Sequence, residues 1–82
     1  FVENLSVGTT ATALSSSTYY ADEVTLYAPS SNTANILVGS STSQVFPLPP
    51  GSSLTLKKVN LAQIYVVSSS GTQTLYVIAG GY

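Results

Sequence analysis

Thr72-Gln73-Thr74-Leu75-Tyr76-Val77-Ile78-Ala79 sorts its side chains into two alternating sets, with Leu75, Val77 and Ala79 set against Thr74, Tyr76 and Ile78. A period of two places successive side chains on opposite faces of an extended strand. One set then enters a core while the other meets solvent or a neighbour. The same period recurs outward from this stretch. Ile64 and Val66 oppose Tyr65 and Val67, Leu54 and Leu56 alternate with Ser53, Thr55 and Lys57, and Ile36 and Val38 flank Leu37. Val24, Leu26 and Ala28 share a phase against Glu23, Thr25 and Tyr27, and Leu5 and Val7 alternate with Asn4 and Ser6. No segment carries a helical stripe, and the abundant Val, Ile, Thr and Tyr suit a pleated, half-buried surface. The chain predicts an all-β fold.

Short polar punctuation separates these runs: Gly8 before Thr9-Thr10, Ser15-Ser16-Ser17, Pro29-Ser30-Ser31-Asn32, and the Ser/Thr-rich segment Gly39 to Ser43. Pro49-Pro50-Gly51 fits a type II turn, with Pro50 fixing one φ and Gly51 free to take a positive one. Ser70-Gly71, between two strong strand patterns, reads as a hairpin tip, which would make Tyr65 and Tyr76 cross-strand neighbours. Seven to eight short strands so spaced predict a small antiparallel β-sandwich, jelly-roll-like. At 82 residues the chain is one domain, 1–82, with 1–8 as an N-terminal arm strand. It opens at Phe1 rather than Met, as expected of a processed product or a piece of something longer.

Composition excludes much of catalysis and several classes of partner. Charged residues make up 6% of the chain, against about 25% in an ordinary soluble domain. In their place stand 14 Ser and 10 Thr, with no Cys, His, Met or Trp. Lacking His and Cys, the chain lacks the commonest general base and the usual zinc ligands. Lys57 and Lys58 are the whole basic complement and the net charge is −1, too little for phosphate neutralisation or a polybasic membrane anchor. Apolar runs of at most five residues fall far short of the ~20 that span a bilayer.

Asp22 and Glu23 are the adjacent carboxylates; on a strand their side chains would point to opposite faces and could not clamp one substrate atom together. No Asp-rich loop offers calcium its oxygens. The serines have neither a Ser-x-x-Lys nor a Gly-x-Ser-x-Gly setting, and Gly51 and Gly80-Gly81 lack the Lys-Ser/Thr of a phosphate loop. Catalytic, cofactor and metal sites are therefore not expected, and the chain reads as a non-enzyme. The tyrosines suit packing and subunit contacts, with a glycan platform as the lesser alternative. Asn4-Leu5-Ser6 matches an N-glycosylation sequon, a pattern frequent by chance. Lys57-Lys58 reads as the end of a strand and a guard for its edge.

Val7-Gly8-Thr9-Thr10-Ala11-Thr12-Ala13-Leu14, then Asn32 leading into Ile36-Leu37-Val38-Gly39-Ser40-Ser41, then Phe46-Pro47-Leu48-Pro49-Pro50-Gly51-Ser52-Ser53-Leu54-Thr55-Leu56, and last Ile64-Tyr65-Val66-Val67-Ser68-Ser69 with Leu75-Tyr76-Val77-Ile78 form a recognisable succession. It resembles the small β-domains of tailed-bacteriophage virion proteins, which serve as capsid decoration (cement) proteins, head fibres and tail components. It departs at Asn35, Leu37 and Val45. The resemblance implies a structural subunit of a virion, contacting copies of itself or a major capsid or tail protein, and transfers no catalytic residue.

Physical considerations lead to the same expectation. A core this small commonly needs a disulfide, a metal or a partner, and this chain has no cysteine. Neutral Ser/Thr-rich surfaces lose little side-chain entropy on docking, and Tyr and Phe serve as anchors. The expected interface residues are Phe1, Val2 and Leu5 on the arm, Tyr19 and Tyr20, Phe46, Pro47, Pro49 and Pro50 around a rigid contact loop, and Tyr82. Two other settings fit the composition: a secreted filament or surface-layer subunit at the cell surface, and a carbohydrate-binding module of a fibre.

Overall fold

The computed structural model describes residues 2–81; Phe1 and Tyr82, both expected at an interface, lie outside them. Among the described residues the strands are β1 (Val2–Val7), β2 (Thr12–Ala13), β3 (Tyr20–Tyr27), β4 (Ile36–Gly39), β5 (Gln44–Leu48), β6 (Ser53–Asn60), β7 (Tyr65–Ser68) and β8 (Gln73–Gly81). One turn of 3-10 helix, Leu61–Gln63, joins β6 to β7. Two four-stranded antiparallel sheets result, ordered β1-β8-β3-β6 and β2-β7-β4-β5.

Four of the pairings are nested: β1 with β8, β2 with β7, β3 with β6 and β4 with β5. The chain is thus one long antiparallel ribbon, folded back at the β4–β5 hairpin. Rolling the ribbon up brings β8 against β3 and β7 against β4, which is the jelly-roll topology. The expected all-β sandwich of seven to eight strands is what the chain forms.

Alternation decides what goes inside. Val24 and Leu26 of β3, Leu75 and Val77 of β8, Ile36 and Val38 of β4, Leu48 of β5 and Val66 of β7 are buried. With Val7, Leu14, Ala21, Ala28 and Leu61 they form one continuous cluster between the sheets. Cross-strand neighbours on the inner face pair apolar with apolar: Leu5 with Leu75, Leu26 with Val77 and Leu54, Val38 with Val66. Buried apolar area of this kind is the main term favouring the fold. Among the described residues no buried side-chain polar atom lacks a hydrogen-bond partner.

The turns follow their chemistry. The Ser52 amide donates to the Pro49 carbonyl at 3.1 Å, and Gly51, third in that turn, has φ 84°, as a type II turn requires. Asn60 caps the 3-10 turn: its Oδ1 accepts from the Ala62 amide at 3.1 Å and the Tyr19 amide at 3.2 Å.

Four sequence expectations are corrected. Ser70-Gly71 is not a hairpin tip, because β7 and β8 belong to different sheets and this segment crosses between them. Tyr65 and Tyr76 are accordingly not neighbours; Tyr76 pairs with Tyr27 on β3 instead. Asp22 and Glu23 do not face opposite ways either. The β3–β8 register shifts between Ala21 and Glu23, and this bulge turns both carboxylates outward while Ala21 and Val24 stay buried.

Lys57 and Lys58 lie within β6, not at its end, and β6 is an edge strand. Lys58 has φ 53°, a left-handed conformation that costs a non-glycine residue about 1–2 kcal/mol. Its ammonium donates to Asp22 Oδ1 at 3.0 Å, a contact between two exposed groups that contributes only ~0–1 kcal/mol. Lys58→Gly is therefore expected to raise Tm by a few degrees in thermal unfolding followed by circular dichroism; an unchanged or lowered Tm would show that the ion pair outweighs the strain.

Candidate functional site

The outward phase of β1, β8, β3 and β6 forms a grid. One row across it is Asn4, Tyr76, Tyr27 and Ser53; the next is Val2, Ile78, Thr25 and Thr55; the third holds Gly80, Glu23 and Lys57. A soluble sheet normally turns polar side chains outward, yet Val2 is 76% exposed, Ile78 58%, Tyr76 44% and Tyr27 40%. The two tyrosine rings lie nearly parallel, 6.3 Å between centroids and 15° between planes, a pairing that fixes both side chains. Around them Val2, Glu3, Asn4, Thr25, Tyr27, Tyr76, Val77 and Ile78 bound an open, mostly apolar groove of about 550 Å³.

Apart from Glu3 beside the groove, charge is kept to one corner of this face. Lys57 Nζ lies 3.8 Å from Glu23 Oε2, and Lys58 Nζ 3.0 Å from Asp22 Oδ1. These exposed pairs add little stability, but they cancel each other's fields, and apart from Glu3 the rest of the sheet presents hydroxyls, amides and apolar groups. Thr25 and Thr55 stand side by side with hydroxyl oxygens 3.4 Å apart.

A second apolar feature opens at the side of the sandwich. Phe46 belongs to the inward phase of β5, opposite Val38, but the strand sits at a sheet edge and leaves the ring half exposed. With Leu54 and Leu56 of β6 and with Ile64 it lines a groove of about 300 Å³.

The expected interface residues are not gathered into one patch. Val2 lies in the outer grid, and Tyr20 is exposed at the start of β3. Phe46 and Pro47 are exposed on β5, and Pro49 and Pro50 sit at the β5–β6 turn. Leu5 and Tyr19 pack against the core. Tyr27, Tyr76 and Ile78 were not among the expected residues, although large apolar side chains in the outward phase of two strands signal them.

Hydroxyl groups here serve the backbone. Ser68 Oγ donates to the Ser70 carbonyl at 2.7 Å and accepts from the Ser70 amide at 3.1 Å; Ser15 and Ser17 repeat the device. Among the described residues no group of three or more His, Cys, Asp or Glu is placed to hold a metal ion. No helix among them is long and apolar enough to cross a membrane. No family model, curated protein or solved structure matches the chain, so the likeness to virion domains rests on the sequence motifs alone.

Proposed function

We propose that the chain is a non-enzymatic structural subunit of a virion, a capsid decoration (cement), head-fibre or tail component that strengthens an assembly by protein–protein contact. The supporting observation is the outer face of the β1-β8-β3-β6 sheet, where Val2, Tyr27, Tyr76 and Ile78 are exposed together, with Glu3 beside the groove and the other charges paired at one corner. Patches of this kind mark interaction sites, and tyrosine at the centre of a patch is typical of the side chains that carry binding energy. The jelly roll is a frequent building block of viral shells, which agrees with the sequence likeness. Docking centred on the Tyr27–Tyr76 row removes apolar surface from water and leaves the paired charges at the corner of the face, which keeps the desolvation cost down.

Tyr76→Lys combined with Ile78→Lys is expected to abolish assembly while leaving the far-ultraviolet spectrum and Tm near those of the parent, since both side chains point out of the core. Electron microscopy of the purified native assembly then tests the setting: a shell or tail is expected, and a cell-surface thread would overturn the virion setting. The Tyr27–Tyr76 pair also favours a second reading, a carbohydrate-binding module, because parallel aromatic rings can stack on sugar faces. A glycan array that lights up with the parent and goes dark with Tyr27→Ala would support that reading over assembly.

A further inference from the structure

Each sheet of the sandwich has two edges, and three of the four are blunted against pairing. Strand β2 is two residues long. Strand β5 contains Pro47, which has no amide hydrogen, and its register with β4 shifts between Val38 and Gly39. Strand β6 carries Lys57 and Lys58, with the left-handed backbone at Lys58 breaking its line. These are the usual devices that keep sheet edges from sticking. Strand β1 is the least guarded: Val2–Val7 runs in unbroken register from Val2↔Ile78 to Val7↔Gln73, without proline, lysine or bulge, and Glu3 is its one charge.

We infer that this edge pairs with β1 of a second copy, antiparallel across a two-fold axis through Asn4, to make one continuous eight-stranded sheet. The inference deepens the proposed assembly role and rests on it. A second copy is the fitting occupant because the edge is complementary to itself in one register. An axis normal to the sheet pairs even residues with even and odd with odd, so the outer faces of both copies stay on one side. At the far end of the strand the Gly8 carbonyl accepts from the Ser68 amide at 2.7 Å, so the chain is already turning into the second sheet there. The free stretch is Val2 to Ser6, and its centre is Asn4. In that register Asn4 faces Asn4, each amide offering a donor and an acceptor, Val2 faces Ser6, and Glu3 faces Leu5. Centring the axis on Glu3 would oppose two carboxylates.

The pairing also joins the two outer grids, since Val2 and Asn4 border Ile78 and Tyr76.

The chain has no cysteine, so introduced thiols report the register directly. Opposed residues of an antiparallel pair lie ~4.5–5.5 Å apart at Cα, within disulfide reach. Mild oxidation of the full-length Asn4→Cys chain is expected to give covalent dimers. Val2→Cys alone is expected to give none, but mixed with Ser6→Cys it should cross-link. Asn4→Lys, which sets two ammonium groups against each other on the axis, is expected to weaken the dimer about a hundredfold in sedimentation equilibrium with the fold intact. If Asn4→Cys fails to cross-link while the chain still assembles, the β1 pairing is overturned and the outer-face contact stands. A chain that stays monomeric in every assay overturns both. A native glycan on Asn4 overturns the pairing too, because it would occupy the axis.

Discussion

Gly39→Ala is expected to cost the fold about 3 kcal/mol or more, with Tm falling by roughly 10–20 °C. Gly39 ends β4 at the hairpin and pairs with Gln44 where the β5 register shifts. A Cβ there would run into the Ser43 carbonyl oxygen and come within 2.8 Å of the Gln44 Cα. Both obstacles are backbone, and both are held. The Ser40 amide donates to the Ser43 carbonyl at 2.9 Å, the Ser43 amide returns a bond to the Ser40 carbonyl at 3.4 Å, and Gln44 Nε2 donates to the same carbonyl at 2.6 Å. Relief would mean breaking the turn that folds the ribbon back, so every later pairing inherits the damage. Gly8→Ala and Gly80→Ala are the controls, since a Cβ at either meets nothing within 4 Å. Urea and thermal unfolding of the three variants decides the matter; a Gly39→Ala chain as stable as the controls would show that the hairpin can open locally.

Removing the side-chain amide of Gln73 or Asn32 is expected to cost about 2–4 kcal/mol, because each leaves buried or half-buried backbone groups without partners. Strand β3 leaves its sheet at Pro29, beside the start of β8, and no further backbone follows there to pair with Thr74. The Asn32 side chain takes that place: its Nδ2 donates to the Thr74 carbonyl at 2.8 Å, and its Oδ1 accepts from the Thr74 amide at 2.9 Å. Gln73, 5% exposed, binds the next turn of the loop. Its Oε1 accepts from the Thr33 amide at 2.9 Å, and its Nε2 donates to the Ser70 carbonyl at 2.8 Å and to Thr33 Oγ1 at 3.2 Å.

Gln73→Ala and Asn32→Ala are expected to lower the urea midpoint. Asn32→Asp is the sharper probe. Its carboxylate keeps the acceptor but loses the donor and faces the Thr74 carbonyl, so folding favours the protonated acid and raises its pKa above the unfolded value of ~3.9. The folded state then binds more protons than the unfolded one, and stability of this variant falls as pH rises through the carboxylate range. An Asn32→Asp chain whose stability is flat across that range would show that the loop rearranges to spare the contact.

The sandwich was legible because its signal is local: Leu75, Val77 and Ala79, or Val24, Leu26 and Ala28, declare an inner face by spacing alone. Which strand pairs with which is not local. Ser70-Gly71 has turn chemistry whether the chain doubles back in one sheet or crosses to the other, and only the rolled topology chooses. The bulge at Asp22 was hidden for a similar reason, since Ala21 is small enough to read as either phase. Asn32 and Gln73 look like ordinary loop and strand-start residues until the exit of β3 at Pro29 shows what is missing beside Thr74. The outer grid was half visible. Tyr27, Tyr76 and Ile78 could be assigned to the outward phase, but only the β3–β8 pairing places them side by side.

The nested ribbon also constrains the order of events as the polypeptide organises. Partners in the β4–β5 hairpin are separated by a few residues, while β1 and β8 must meet across almost the entire length of the chain. Closing so large a loop is entropically unfavourable until the inner rungs are in place, which puts high contact order, and hence slow acquisition of the native state, into the topology itself. The outermost rung zips last. Until it does, a neighbouring molecule can supply the same strand, which makes β1 the element most open to exchange between chains.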